Sequence, residues 1–261
     1  MQIFDTEKIE LVKQIVKEGK LPQFVYKYYK LNNFTEDVLR ESKIWFGSPV
    51  NFNDPFDCQL IPDTKNNKKE IELYLKDNAT SLNRENRKRK SDELNKNPAE
   101  WRKIISSSLE KISSKSGITS FCGSNDNILM WSHYSDSHKG ICLKFDILKS
   151  PETFVYPTKV NYSTRYPIFN YLKNTEEILK FLFLTKAKCW EYEQELRVIK
   201  TEVGKYDFSS TSLVEVTFGC RTDKKDIEKY KKILLNKKYD ADLKIAIPSS
   251  TNFNLEIKSC N

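Results

Sequence analysis

Glycine and histidine are scarce in this chain. Its 261 residues include 7 glycines and 2 histidines. No GxGxxG or GxxxxGK(S/T) run occurs, so the backbone has no glycine-lined cradle for phosphates, which excludes a P-loop NTPase and an ordinary Rossmann dehydrogenase. There is no GxSxG nucleophile elbow. The two histidines, His133 and His138, lack the i, i+4 helical register of a metal pair and would need ligands from elsewhere. Six cysteines (Cys58, Cys122, Cys142, Cys189, Cys220 and Cys260) never fall in a CxxC pair, which argues against a zinc ribbon or a thioredoxin-like redox site. They read as reduced thiols, small apolar fillers of a cytosolic protein. No apolar run reaches membrane-spanning length: "ILKFLFL" (178–184) is short and Lys180 interrupts it. The opening "MQIFDTEKIE" carries acidic residues and no apolar leader core, so a soluble, cytoplasmic protein is expected.

Charge, by contrast, is plentiful. The 44 Lys and Arg against 36 Asp and Glu leave a net +8, which attracts anionic partners such as nucleotides, nucleic acid or lipid headgroups. Much of it is scattered through a Lys- and Asn-rich composition, and a solvated surface accounts for that without a partner. The length suits one sizeable core, so a single α+β domain over 1–261 is expected, with a polar helical insertion at about 66–115.

Phe4, Ile9, Val12, Ile15 and Val16 fall at helical spacing and Gly19 stops the run, which predicts an amphipathic helix over 4–18. "FVYKYYK" (24–30) reads as a strand, "FTEDVLRES" (34–42) as a short helix with a Thr35–Asp37 cap, and "KIWFGSP" (43–49) as a strand. In "NFNDPFD" (51–57), Asn53 or Asp54 is expected to cap a helix whose first residue is Pro55. The stretch 66–115 is polar and helical and contains the basic run "RENRKRK" (84–90), for which a solvated helix face is preferred over a nucleic-acid track. Strands are expected at 118–122, 140–146, 155–163, 194–200, 213–219 and 243–248, with helices around 175–188 and 223–236. The mixed order predicts an α+β fold with mostly antiparallel sheets and flanking helices rather than a doubly wound parallel sheet.

Four clusters combine polar groups with aromatic ones: "VYKYYK", "FNDPFD", "MWSHY" and "WEYEQELR" (190–197). Read as a strand, the last places Glu191, Glu193, Glu195 and Arg197 on one face and Trp190, Tyr192, Leu196 and Val198 on the other. Neighbouring carboxylates repel, so one of them is expected to be partly protonated or paired with a cation, for which Arg197 is nearest in sequence. Such a pair suits stabilisation of an oxocarbenium-like centre or proton removal from an attacking hydroxyl; an ion-paired strand edge is the plainer alternative. In "DNILMWSHY", Asp126 or Asn127 caps a helical turn with Met130, Trp131 and Tyr134 on or near one side and His133 beside them, whereas His138 falls in a polar turn expected to be solvated. Asn53, Asp54 and Asp57 offer hydrogen-bonding groups at their turn, beyond pinning a loop.

In order, "YKYY", "WFGSPVNFNDPFD", "SFCGSNDNILMWSHYSDSHKGICLKFD", "KAKCWEYEQELR" and "VEVTFG" resemble the bacterial domain-of-unknown-function family 2971, over about residues 24–235. Its members resemble components of mobile elements and antiphage islands, which implies a defence effector or toxin. The tyrosine-bearing first strand, the "WFGSP" strand and the late Glu-x-Glu are also similar to the ADP-ribosyltransferase fold. That resemblance implies NAD as substrate, with Tyr26 or Tyr28 and Lys27 contacting it, Tyr134 or Trp131 stacking on nicotinamide, and Glu195 with Glu193 serving the reaction. Lys27 stands where the fold usually carries Arg or His.

The expectation from residues and resemblance together is an ADP-ribosyltransferase-like effector that cleaves NAD and transfers to a protein or nucleic acid. Glu195, Glu193 and His133 are its catalytic candidates, and Tyr26, Lys27, Tyr28, Asn53, Asp54, Trp131, Tyr134 and Arg197 its binding candidates. No metal is called for. The alternatives are a metal-dependent nuclease using Asp54, Asp57, Glu193 and Glu195, and a non-catalytic module that senses a nucleotide or a phage protein.

Overall fold

The computed structural model describes residues 6–173 and 177–260. From the start, the chain forms α1 (Thr6–Lys17), β1 (Phe24–Tyr29), α2 (Asn33–Glu41) and β2 (Lys43–Phe46). Phe4, assigned to the first helix by its spacing, lies outside the described residues. Helix α1 gives way to Gly19, whose φ of 70° suits a residue without a Cβ. The cap of α2 is Asn32, whose side chain accepts from Thr35 N at 3.0 Å. This corrects the expected Thr35–Asp37 cap: those residues already lie inside the helix.

Next come β3 (Ile61–Pro62), α3 (Lys68–Asn78), α4 (Arg84–Lys96), α5 (Pro98–Lys115), β4 (Gly117–Phe121), α6 (Ile128–Tyr134) and β5 (Ile141–Asp146). Each of α3, α4 and α5 is opened by an asparagine, Asn67, Asn83 or Asn97, whose side-chain oxygen accepts an otherwise orphaned backbone N–H. The chain continues through β6 (Thr158–Lys159), β7 (Asn161–Ser163), β8 (Ile168–Phe169), α7 (Ile178–Phe183), β9 (Thr185–Ala187) and β10 (Leu196–Lys200). It closes with β11 (Gly204–Asp207), β12 (Leu213–Phe218), α8 (Lys224–Asn236), β13 (Asp242–Pro248) and β14 (Leu255–Ser259). The strand expected over 155–163 is broken: Tyr156 has φ 50°, Pro157 has no N–H to donate, and only 158–159 and 161–163 pair. The helix expected around 175–188 is short, since β9 begins at Thr185; its first positions, 175 and 176, lie outside the described residues.

The chain divides into two compact units. The first comprises Met1–Gly47, Gly117–Val160 and Cys189–Asn261; the second comprises Ser48–Ser116 and Asn161–Lys188. In the first, a five-stranded sheet runs β1-β5-β12-β13-β14, with only β12 and β13 parallel, joined through the α8 crossover. A three-stranded antiparallel sheet runs β4-β10-β6, and β11 pairs with β2. Two single bridges tie these together, Tyr26 to Cys122 and Gly47 to Ile118. The fold is α+β with mostly antiparallel sheets. Its core is a set of rings around Phe145, with Phe154 at 5.0 Å, Phe208 at 5.2 Å and Phe121 at 6.3 Å between centroids.

The second unit is built on α3, α4 and α5 with two short parallel pairs, β3-β8 and β7-β9. Trp101 is fully buried, packs edge-on to Tyr74 at 5.1 Å and donates its indole N–H to Asn66 Oδ1 at 3.1 Å. "NFNDPFD" forms no helix, which corrects the capped-helix expectation. Asp54 closes one turn by accepting from Phe56 N at 2.9 Å, Asp57 N donates to Asp54 O at 3.2 Å, and Cys58 at φ 54° turns the chain away. None of the six cysteines is in a disulfide; Cys58, Cys122 and Cys142 are buried fillers, but Cys189 is exposed. Among the described residues no helix is long and apolar enough to cross a membrane.

Candidate active site in the first unit

The site is assembled where α6 meets the segment Lys188–Glu193. The "NILMWSHY" stretch is helical because Asn127 caps it, accepting from Leu129 N at 3.0 Å and Met130 N at 3.2 Å. The same asparagine donates its Nδ2 to Tyr192 O at 2.5 Å. At the other end of α6, the Tyr134 hydroxyl donates to Glu193 Oε1, also at 2.5 Å. The exposed His133 ring lies 6.0 Å from that of Tyr192. Two staples and a ring contact thus fix α6 against a segment about sixty residues away in sequence.

That segment is not a strand. Lys188–Glu193 is a 3-10 helix, Gln194 takes φ 46°, and β10 begins only at Leu196. The expected four-residue acidic strand face, with Glu191, Glu193, Glu195 and Arg197 in register, is therefore corrected. Only its last pair survives: Arg197 Nε donates to Glu195 Oε1 at 2.7 Å and Nη2 to Oε2 at 3.1 Å. Both side chains are buried, at 1 % and 3 % exposure, as is Glu193 at 3 %. A bidentate fork of this kind orients the carboxylate and offsets its desolvation.

Lys27 reaches the same place from β1. Its ammonium donates to Ser120 O at 2.8 Å and lies over the Phe121 ring at 5.4 Å. Burial pushes its pKa down to about 8, and the Glu195 carboxylate opposes that shift. Tyr28 donates to Ser124 O at 2.9 Å and meets Trp131 edge-on at 5.2 Å. Trp131 has no exposed surface: its indole N–H donates to Asn125 O at 2.7 Å and its face stacks on His138. It therefore wedges the core in this structure, and of the two candidate stacking rings only Tyr134 reaches the surface. His138 is corrected as well, for it is half-buried rather than solvated.

Tyr26, Tyr134 and Tyr192 are half-buried and pack around the same apolar cluster as Tyr28, Met130 and Trp131. They form an aromatic rim beside the buried carboxylates. Burial first, and then its bond to Glu193, raise the Tyr134 pKa well above the usual phenol range. Burial and the Glu215 carboxylate push Tyr26 up to about 12. Glu215 was not a sequence candidate. It accepts from Asn125 Nδ2 at 2.7 Å and from Thr217 Oγ1 at 2.9 Å, anchoring the loop that leads into α6. Asn127 is legible in the sequence as a cap but not as a staple, and the strand reading of 190–197 sets Tyr192 on the face opposite the acids.

Asn53 and Asp54 belong to the second unit. There Asn53 is exposed, and Asp54 lines a cavity of about 440 Å³ with Asp57 and Glu110. Asp57 lies 3.8 Å from Lys186 Nζ, with both side chains buried. Among the described residues no group of three or more His, Cys, Asp or Glu is placed to hold a metal ion.

Residues 130–198 match the family model of a protein of unknown function, DUF2971, a stretch that runs from "MWSHY" through "WEYEQELR" and bears out the resemblance drawn from those motifs. No curated protein and no solved structure matches the chain.

Proposed function

From a chain that carries the DUF2971 motifs, we propose an enzyme that cleaves the glycosidic bond of NAD and passes the ADP-ribosyl group to a macromolecular acceptor. The observation that carries this reading is the buried Glu193 bonded to the Tyr134 hydroxyl at 2.5 Å beside the Glu195–Arg197 fork. Breaking the ribosyl C–N bond sends its electron pair out with nicotinamide and leaves a ribosyl cation. A carboxylate held in a low-dielectric setting favours that cation far more than water does. Glu193 stabilises the cation and takes the proton from the attacking acceptor, exchanging its Tyr134 bond for one to the acceptor hydroxyl or amine. Arg197 and Glu195 position that segment, Lys27 holds the floor of the site, and Tyr134 and Tyr26 offer faces for the nicotinamide ring. In this reading His133, exposed beside Tyr192, meets the outer part of the dinucleotide. A role as a defence toxin follows from the family resemblance.

The test is release of nicotinamide from NAD by the full chain, with and without protein and nucleic-acid acceptors. Glu193→Gln is expected to lower the rate by about 100-fold or more while the fold is retained, and Tyr134→Phe by a smaller factor. Growth arrest on expression should be relieved by the same Glu193→Gln change. A wild-type chain inert toward NAD under every acceptor condition overturns the reading. Binding of NAD without release, unchanged by Glu193→Gln, would identify a sensor instead.

A further inference from the structure

The left-handed turn that follows α6 carries an inference independent of NAD cleavage. Asp136, Ser137 and His138 have φ of 51°, 54° and 70°, three successive non-glycine residues in the region L side chains avoid. Strain of this kind persists only where the surroundings over-determine it. Here His138 N donates to Trp131 O at 3.1 Å, and His138 O accepts from Arg221 N at 3.0 Å. Gly219 permits the approach: a Cβ there would sit 2.1 Å from His138 O. The imidazole is held nearly parallel to the Trp131 indole, 12° between planes and 6.5 Å between centroids.

His138 lines a cavity of about 530 Å³ in the first unit, with Ile128, Arg221, Phe253, Leu255 and the hydroxyl-rich loop 249–251. No Asp or Glu lines it, and among the described residues Arg221 makes no ion pair. His138 Nδ1 is buried without a hydrogen-bond partner, so a hydrogen there would be an unsatisfied donor. With its proton on Nε2, the neutral ring presents an N–H donor on its accessible side. Phe253 is fully exposed at the cavity, free to close on a planar group.

We propose that this cavity is a binding site for a nucleoside monophosphate. Its phosphate is met by Arg221 and the His138 Nε2–H, and its base by Phe253 and the apolar wall of Ile128 and Leu255. A guanidinium and an N–H donor with no neighbouring acid select an anion, and the loop hydroxyls suit phosphate oxygens and a ribose. The volume falls in the range of small-molecule sites and leaves room for a base as well as a phosphate.

The chain's two histidines make the test direct. Side-chain nitrogen NMR of the full protein reads both rings, told apart with His133→Gln, while AMP, inorganic phosphate or adenosine is titrated in. AMP is expected to move the His138 signals saturably, with phosphate and adenosine at least about 10-fold weaker; any movement of His133 reports on the separate site beside Tyr192. Arg221→Gln should weaken AMP by about 10-fold or more, and Phe253→Ala should weaken AMP but not phosphate. No saturable movement of His138, or undiminished binding in Arg221→Gln, overturns the site. Nicotinamide release is not read, so this outcome and that of NAD cleavage stand apart.

Discussion

The helices of the second unit and the candidate site of the first treat charge differently. The second unit carries 19 Lys and Arg against 13 Asp and Glu, so it holds +6 of the chain's net +8. Lys186 and Asp57 form a buried pair there, but its helices α3, α4 and α5 carry their ion pairs on the surface: Lys68 to Asp92 at 2.6 Å with side chains 45 % and 48 % exposed, and Lys90 to Glu93 and Glu100. The first unit is close to electrically balanced and buries its decisive groups, Arg197, Glu195, Glu193 and Glu215. Surface pairs in high dielectric decide solubility and attraction of anions, whereas buried ones decide orientation and chemistry. The richest basic run in the sequence, "RENRKRK" on α4, is thus less informative about a reaction than one arginine hidden on β10.

The most severe way to break this contrast is Arg197→Met. Removing the guanidinium leaves Glu195 buried with its bidentate partner gone, and the expected loss is about 3–5 kcal/mol in denaturant unfolding. Changing both partners, Glu195→Gln with Arg197→Met, should cost less than the sum of the single changes, because neither product carries an uncompensated charge. Losses below about 1 kcal/mol for Arg197→Met would place the pair with the surface bridges of the second unit.

How far the sequence discloses this arrangement depends on the reach of each signal. Elements set by local periodicity or a stop, such as α1 before Gly19 or the Tyr-rich β1, follow from their own residues. Pro55 suits the first turn of a helix, yet the residues after it supply no apolar stripe, and the segment turns at Cys58 instead. The alternation in "WEYEQELR" is real only from Glu195 onward; a single left-handed residue, Gln194, cancels the register before it. Tyr134 and Glu193 were both visible as candidates. Their bond was not, because it depends on a 3-10 helix and on Asn127 pinning Tyr192, neither of which leaves a periodic trace.

A milder probe of the contrast uses pH. Lys27 and Lys200 both have pKa values lowered to about 8, by burial first in each case. Their unfolded values lie near 10.4, so between about pH 8 and 10 the unfolded chain binds more protons than the folded one, and stability rises with pH. Below pH 8 both states are protonated and the full cost of holding the charge in the fold is present. The gain should be on the order of 1–2 kcal/mol after allowance for partly exposed stems. Above about pH 10 the trend reverses, since tyrosines such as Tyr26, raised to about 12, lose protons only on unfolding. Unfolding measured from pH 7.5 to 9.5 checks the slope, and Lys27→Met with Lys200→Met should flatten it.

The smallest expected effect tests the other side. Lys68→Ala removes the bridge to Asp92 on the basic unit, and despite the 2.6 Å separation its stability should change by no more than about 0.5 kcal/mol. The short distance is deceptive because both side chains are about half exposed, so water and salt screen the attraction and both chains lose rotamer freedom to keep it. Denaturant unfolding at low and at 1 M salt separates the terms. Any bridge contribution should vanish at high salt, where the Debye length is about 3 Å. A salt-independent loss above about 1 kcal/mol would show that α3 and α4 depend on this pair as the first unit depends on Arg197, and charge would then play one role throughout the chain.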